Sequence, residues 1–212
     1  MIDTGDLDNE LSIVKCIKSL MGSKYGADNA LAHQQIVISL TNSLVSPDLN
    51  TRKTVSEILT FLVHWDEWRG YQKVLDAMEI VKDQHHKASR FEFWIPAFQE
   101  TIDTYTHLRG SDRKLDRSQV TETVFLEYCF STTCLINMLV SAREDDLTVR
   151  CHIRAQLNAC GIQRILSKLE RFEYEVIDRQ IERFRDDEAI DYEDLLQRGE
   201  KSQDYLPTVA EG

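Results

Sequence analysis

Proline is scarce in this 212-residue chain, at three positions, while hydrophobic residues make up 42%. That composition favours a folded, helix-rich protein over a disordered one. Positive charge is in deficit: 25 Lys and Arg stand against 36 Asp and Glu, a net charge of −11. A negative surface repels phosphate backbones and anionic lipid, so nucleic acid and membrane surfaces are set aside as main partners and a basic protein segment is favoured. No apolar run approaches the ~20 residues that span a bilayer, and no basic-then-apolar signal opens the chain. The five cysteines (Cys16, Cys129, Cys134, Cys151, Cys160) are odd in number and form no CxxC pair. Four of them lie in apolar helical stretches and read as buried thiols of a reducing cytosol.

Catalytic signatures are missing as well. There is no glycine-rich phosphate loop and no Gly-x-Ser-x-Gly elbow. His85 and His86 beside Asp83 would point apart on a helix, with no third ligand at metal spacing, so they read as a solvated helix end. His152 stands between Arg150 and Arg154, which disfavour a metal cation. The acidic run Asp186-Asp187-Glu188 with Asp191, Glu193 and Asp194 lacks the glycine of a calcium loop and reads as a solvated helix face. The expectation is a binding protein without catalytic residue, metal or cofactor.

What is present is helical periodicity. Ile13, Val14, Ile17, Leu20 and Met21 form one apolar stripe, ended by Gly22 and Gly26 with Lys24 and Tyr25 in the turn. Residues 29–33 and 35–44 make a short and a medium helix, up to Ser46-Pro47-Asp48. Asn50 or Thr51 then caps a longer helix carrying Val55, Ile58, Leu59 and Leu62, which stops at the corner formed by His64, Trp65 and Asp66. Val14 and Val55 occupy matching places 41 residues apart, a period of armadillo and HEAT repeats. A third long helix spans about 120–140, with room for a repeat around 90–105. Residues 149–157 and 163–169 flank Cys160-Gly161-Ile162 and repeat the short and medium pattern. The segmentation expected is a tail over 1–10, a repeat domain over 11–169 with a mobile loop near 107–118, a long charged helix over 170–198 and a frayed tail over 199–212.

Each such repeat buries its apolar face only by stacking on its neighbours. The fold class expected is therefore all-α: an armadillo-like superhelix of three to four repeats followed by a long C-terminal helix. Its concave side is lined by the third helices. By spacing, the lining positions are Lys15, Ser19 and Gly22, then Glu57, Phe61 and His64, then Cys134, Met138 and Ser141. Phe61 and Met138 are large apolar groups on that side and suggest that an apolar helix or peptide docks there.

Four stretches carry a family resemblance: residues 13–26 (IVKCIKSLMGSKYG), 51–62 (TRKTVSEILTFL), 135–140 with 145–154 (LINMLV, DDLTVRCHIR) and 175–196 (EVIDRQIERFRDDEAIDYEDLL). They resemble the inhibitory armadillo domain of diaphanous-related formins, in its fungal form, over about residues 10–198. The resemblance implies a groove that binds the formin's own basic-flanked, amphipathic C-terminal segment and holds actin assembly off until an active Rho-type GTPase displaces it. It puts Asn137 and Met138 in that groove, and Gly22, Ser23, Lys24 and Tyr25 on the GTPase-facing edge. Gly22-Ser23 stands where members often have two asparagines, and Met138 where a small residue is common. The chain reads as a piece of a longer protein, with an upstream GTPase-binding portion and the actin-assembling region outside it. Cytokinesis, cell polarity and a cytoplasmic, cytoskeleton-associated place at septum, bud or hyphal tip follow from the same resemblance. The alternative is a general armadillo adaptor for a basic helical or extended peptide; the Trp and Asn ladder of nuclear cargo receptors is missing from the lining positions.

Overall fold

Helices begin where a side chain can satisfy the N–H groups that a first turn leaves free. The computed structural model describes residues 4–66, 68–110 and 122–204, and across them ten α-helices and no strand occur. They are α1 (Thr4–Met21), α2 (Lys24–Ala32), α3 (Gln34–Asn42), α4 (Leu49–His64), α5 (Trp68–Gln84), α6 (Ile95–Gly110), α7 (Glu122–Ser141), α8 (Leu147–Ala159), α9 (Ile162–Leu169) and α10 (Glu175–Asp204). The Ser23 hydroxyl caps α2 by accepting from the Gly26 N–H at 3.1 Å. Asp48, rather than Asn50 or Thr51, caps α4, its carboxylate accepting from the Thr51 N–H at 2.7 Å and the Thr51 hydroxyl at 2.8 Å. Asp146 caps α8 in the same way through the Val149 N–H.

The helices fall into one leading helix and three triplets: α1, then α2–α4, α5–α7 and α8–α10. Third helices stack in series, α1 on α4, α4 on α7 and α7 on α10, with the α4–α7 contact the most extensive. This is the armadillo-like arrangement expected, with three repeats and the long late helix serving as the third helix of the last one. One core runs through it, from Leu31 and Leu59 through Trp94 and Phe125 to Ile181 and Phe184, all fully or almost fully buried. Each such side chain contributes about 1.5–3 kcal/mol by leaving water. The apolar side chains that α10 buries are Ile177, Ile181 and Phe184, whereas Val176 is exposed.

Several boundaries differ from expectation. The 1–10 tail is helical from Thr4, because the Glu10 carboxylate accepts from the hydroxyls of Ser43 (2.6 Å) and Ser46 (2.8 Å) and ties α1 down. Ile13 and Leu20 do not belong to the core stripe. They are 59% and 67% exposed, because α1 is covered on a narrow side reached by Val14, Ile17 and Met21. Lys24, Tyr25 and Gly26 lie in the first turn of α2, not in a loop. A Cβ on Gly26 would stand 1.9 Å from the Leu20 carbonyl oxygen, so glycine permits the close approach of α2 to the end of α1. Gly70 repeats the arrangement where α5 crosses the end of α4, 1.8 Å from the Leu62 carbonyl oxygen.

Helix α5 has no counterpart in the expected order. It presents Tyr71, Val74, Leu75, Met78 and Val81 to the core, and the buried turn of Phe91, Phe93 and Trp94 then leads into α6. Residues 107–110 are the last turn of α6, and the remainder of the expected 107–118 loop lies outside the described residues. The charged helix is not continuous from 170. A 3-10 turn over Glu170–Phe172 ends at Glu173, in the left-handed region at φ 51°, before α10 starts. Residues 199–204 of the expected tail continue α10, and 205–212 lie outside the described residues. Helix α7 also departs from the expectation that no stretch is apolar enough to span a bilayer: an 18-residue stretch of it has a mean hydropathy of 1.4. It is the central core helix, packed between α4 and α10. Of the cysteines only Cys129 is buried; Cys134, Cys151 and Cys160 are partly covered and Cys16 is exposed. Burial pushes the Cys134 thiol up to about 11 and Cys129 well above the usual range, which keeps both protonated and unreactive near neutral pH.

The C-terminal half of α10 has few apolar anchors and is held by charge instead. The Asp191 carboxylate, expected on a solvated face, is buried and accepts from Arg150 Nε at 2.8 Å and Arg154 Nη2 at 3.0 Å, both on α8. Arg154 Nη1 donates to the Phe184 carbonyl at 3.1 Å, and its guanidinium lies 4.8 Å from the Phe184 ring centroid. Asp191→Ala would leave the buried Arg154 guanidinium without its counter-ion and remove a partner of the partly buried Arg150, and loss of one partner of a buried pair costs about 3–5 kcal/mol. Urea denaturation should show that loss, with Asp186→Ala, at an exposed position of the same helix, within about 0.5 kcal/mol of the parent. Gly70→Ala should cost about 1–3 kcal/mol, because the clash is with backbone that cannot swing aside. Thermal melting followed by circular dichroism should then show a Tm several degrees lower.

Candidate functional site

Stacking of the third helices leaves two depressions at the C-terminal ends of α1, α4 and α7, with Arg183 of the first half of α10 beside the second. The first, about 190 Å³, lies between α1 and α4 and is lined by Lys18, Met21, Gly22, Glu57, Ile58 and Phe61. The second, about 700 Å³, has Val63, His64 and Trp68 on one wall and Met138, Ser141 and Ala142 on the other. Glu144, Asp145 and Arg183 also line it.

Phe61 is 39% exposed, and its ring lies 5.0 Å from that of Trp65, which is itself fixed by a 2.9 Å hydrogen bond from its Nε1 to Asp28. The partly buried Met138 packs against the core from the far wall. Trp68 is 41% exposed and carries the Arg143 guanidinium 3.9 Å from its ring centroid. Apolar side chains thus face solvent on both sides of a concavity whose edge carries carboxylates. Arg143 donates to Asp145 and holds that carboxylate below its usual range, so it stays ionised at neutral pH.

Glu57 connects the helices beneath. Its carboxylate accepts from Lys18 of α1 at 2.5 Å and from the Ser131 hydroxyl of α7 at 3.5 Å. Lys53 of α4 pairs with Glu127 of α7 alongside. Partners about 40 or 74 residues apart are one repeat step apart, so opposite charges at that spacing were a signal available in the sequence.

Of the residues expected in the groove, Glu57, Phe61, His64, Met138 and Ser141 line the two depressions. Lys15 and Ser19 are exposed on α1 and line neither, their place being taken by Lys18 and Met21. Asn137 is withdrawn from the groove. It is 4% exposed and its Nδ2 donates to both the main-chain and side-chain oxygens of Gln180 at 2.9 Å, so it joins α7 to α10. Reading α10 as a separate trailing helix concealed that contact. On the expected GTPase-facing edge, Gly22 borders the first depression, and Ser23 is occupied as the α2 cap, its hydroxyl also donating to the Leu20 carbonyl. Lys24 and Tyr25 are exposed, Tyr25 at 88%. Trp68, Glu144, Asp145 and Arg183 were not anticipated, because Trp68 opens the unforeseen α5 and Arg183 the unplaced α10 face. Among the described residues no group of three or more His, Cys, Asp or Glu side chains could hold a metal ion.

Two family descriptions match the chain. The Diaphanous GTPase-binding Domain matches residues 2–64 and the Diaphanous FH3 Domain residues 71–209. The cytokinesis protein sepA of Emericella nidulans is 55% identical over 201 residues, covering 93% of this chain and 11% of that protein. Formin-F of Dictyostelium discoideum is 28% identical, covering 88% of this chain and 14% of its own length. Disheveled-associated activator of morphogenesis 2 of Gallus gallus is also 28% identical, over 92% of this chain and 16% of its own length. The chain thus spans about a tenth to a sixth of these relatives. The FH3 match covers well over half of the residues, and the helical triplets are what such a domain requires: this chain belongs to the diaphanous-related formins and carries the GTPase-binding and FH3 domains of their N-terminal regulatory region.

Proposed function

We propose that this chain is the switch region of a formin, binding an amphipathic segment from the C-terminus of its own parent protein in the concave groove. An active Rho-type GTPase meets the Gly22–Tyr25 edge and releases that segment. The observation that carries this reading is the pairing of apolar walls, Trp68 against Met138, with a carboxylate rim at Glu144 and Asp145, beside the smaller depression that the exposed Phe61 lines. An apolar helix face with a basic flank is the complement of that surface. The net charge of −11 supports a basic ligand through long-range attraction. Contact with actin lies in parts of the parent protein outside these residues, and the role served is control of filament assembly in cytokinesis and cell polarity, at the cytoplasmic cytoskeleton of septum, bud or hyphal tip. A general peptide adaptor is disfavoured, since the lining positions Lys18, Glu57, Phe61 and Met138 offer no ladder of amides for an extended backbone.

Gly22 borders the same depression as Glu57 and Phe61, so the GTPase edge and the groove adjoin at α1. Tyr25, almost fully exposed, offers the edge a large contact surface without a role in the core.

Met138→Asp would place a desolvated carboxylate where an apolar face docks, and should weaken binding of the formin C-terminal segment about tenfold or more, equivalent to 1.4 kcal/mol or above. Helicity should be retained, because Met138 is partly exposed, whereas Leu139→Asp, at a fully buried neighbour, should unfold the domain. Calorimetric titration with circular dichroism separates the two; undiminished binding by a folded Met138→Asp sinks the groove assignment. Tyr25→Ala should lower affinity for the GTP-loaded GTPase while leaving Tm and peptide affinity unchanged. Equal GTPase affinity in the two proteins, by surface plasmon resonance, would remove the edge from the account.

A further inference from the structure

Beside the groove, a cavity of about 280 Å³ lies between the end of α7, the side of α8 that faces α10 and the middle of α10. Ser141, Arg150, Arg154, Arg183, Asp187 and Asp191 supply its polar lining, with Glu144 at the exposed rim. Arg150 and Arg154 share one carboxylate, Asp191. At the inner end the buried Arg154 and the partly buried Arg150 face one carboxylate, and Glu144 and Asp187 bring the whole lining to three guanidinium groups and three carboxylates. Arg150 spends its remaining Nη1 donor on the main-chain carbonyls of Arg143 and Glu144. Arg154 is 5% exposed, and its Nε–H has no hydrogen-bond partner among the described residues. Arg183 reaches over the opening. It meets the Ser141 hydroxyl at 3.5 Å and Asp187 at 3.7 Å, distances too long to occupy its guanidinium fully.

A buried guanidinium that shares its counter-ion with a second arginine and keeps a spare donor lacks one acceptor-rich negative group. We propose that this cavity is an oxyanion site, taking a carboxylate or a phosphate group between Arg154 and Arg183. Nonspecific attraction does not account for such binding, since the protein as a whole carries −11 and repels anions. Asp187 and Glu144 face the same opening and oppose the ligand, so the site selects a group that enters far enough to reach the buried guanidinium of Arg154. Ser141, Glu144 and Arg183 border both this cavity and the larger depression, so an anion held here sits beside the groove without requiring that the groove be filled.

The experiment uses the 212-residue chain and inorganic phosphate at constant ionic strength, followed by NMR of the arginine Nε–H signals and the backbone amides. A saturable shift confined to Arg154, Arg183 and the facing ends of α7 and α8 is expected, weakened at least tenfold in Arg183→Gln. Arg183 has a half-exposed side chain, so that variant retains its fold, which the amide spectrum verifies. A parallel titration with acetate identifies the group: saturation by acetate as well assigns a carboxylate site, and saturation by phosphate alone assigns a phosphate site. Shifts that stay linear and match those from chloride overturn the proposal. So does saturable binding that Arg183→Gln leaves unchanged.

Discussion

Everything in this fold depends on one contact, the packing of α4 along α7. Neither helix can be satisfied by its own triplet. Val55, Ile58, Leu59 and Leu62 on α4 and Leu135, Ile136 and Leu139 on α7 are all buried. Stacking of successive third helices removes this surface from water, and the same stacking dictates which side chains remain on the concave face. The groove is therefore a by-product of the core. Residues of α4 and α7 that this contact leaves uncovered remain on the concave face, and Phe61 and Met138 are two of them.

Charge finishes what apolar burial begins. Ion pairs along the concave side, Lys18 with Glu57 and Lys53 with Glu127, are exposed enough to contribute little individually. Their use is registration: each joins one repeat to the next at a fixed height. The Arg150–Asp191–Arg154 cluster is different, being buried, and it holds in place the half of α10 that lacks apolar anchors. The domain is thus most apolar at its centre and most dependent on charge at its C-terminal end.

The fold class was legible from periodicity, because a 3.6-residue stripe that returns after about 41 residues leaves few alternatives to stacked helices. Phe61, His64, Met138 and Ser141 were legible for the same reason, as residues off the buried stripe of a third helix. What escaped had particular physical causes. The α1 stripe was drawn too wide because exposure of Ile13 and Leu20 depends on which neighbours exist, a tertiary fact. Gly26 looked like a helix breaker, yet it serves a close helix crossing, as Gly70 does. Helix α5 begins at the turn after His64, where consecutive aromatic and charged residues obscured a regular pattern at 71, 74, 75, 78 and 81. Asn137 and Asp191 are polar residues satisfied only across the α7–α10 and α8–α10 contacts, and no local pattern announces a partner more than 35 residues away.

The central claim is that the concave face of α4 and α7 receives the formin's own C-terminal segment. Hydrogen–deuterium exchange of this chain, with and without that segment, tests it most directly. Since backbone amides in stable helices exchange through local opening, a docked ligand should slow exchange in the C-terminal halves of α4 and α7 and the start of α5. Helices α3, α6 and α9, which line neither depression, should change little. Protection centred on those helices, or absent altogether under conditions where the segment is bound, would contradict the account.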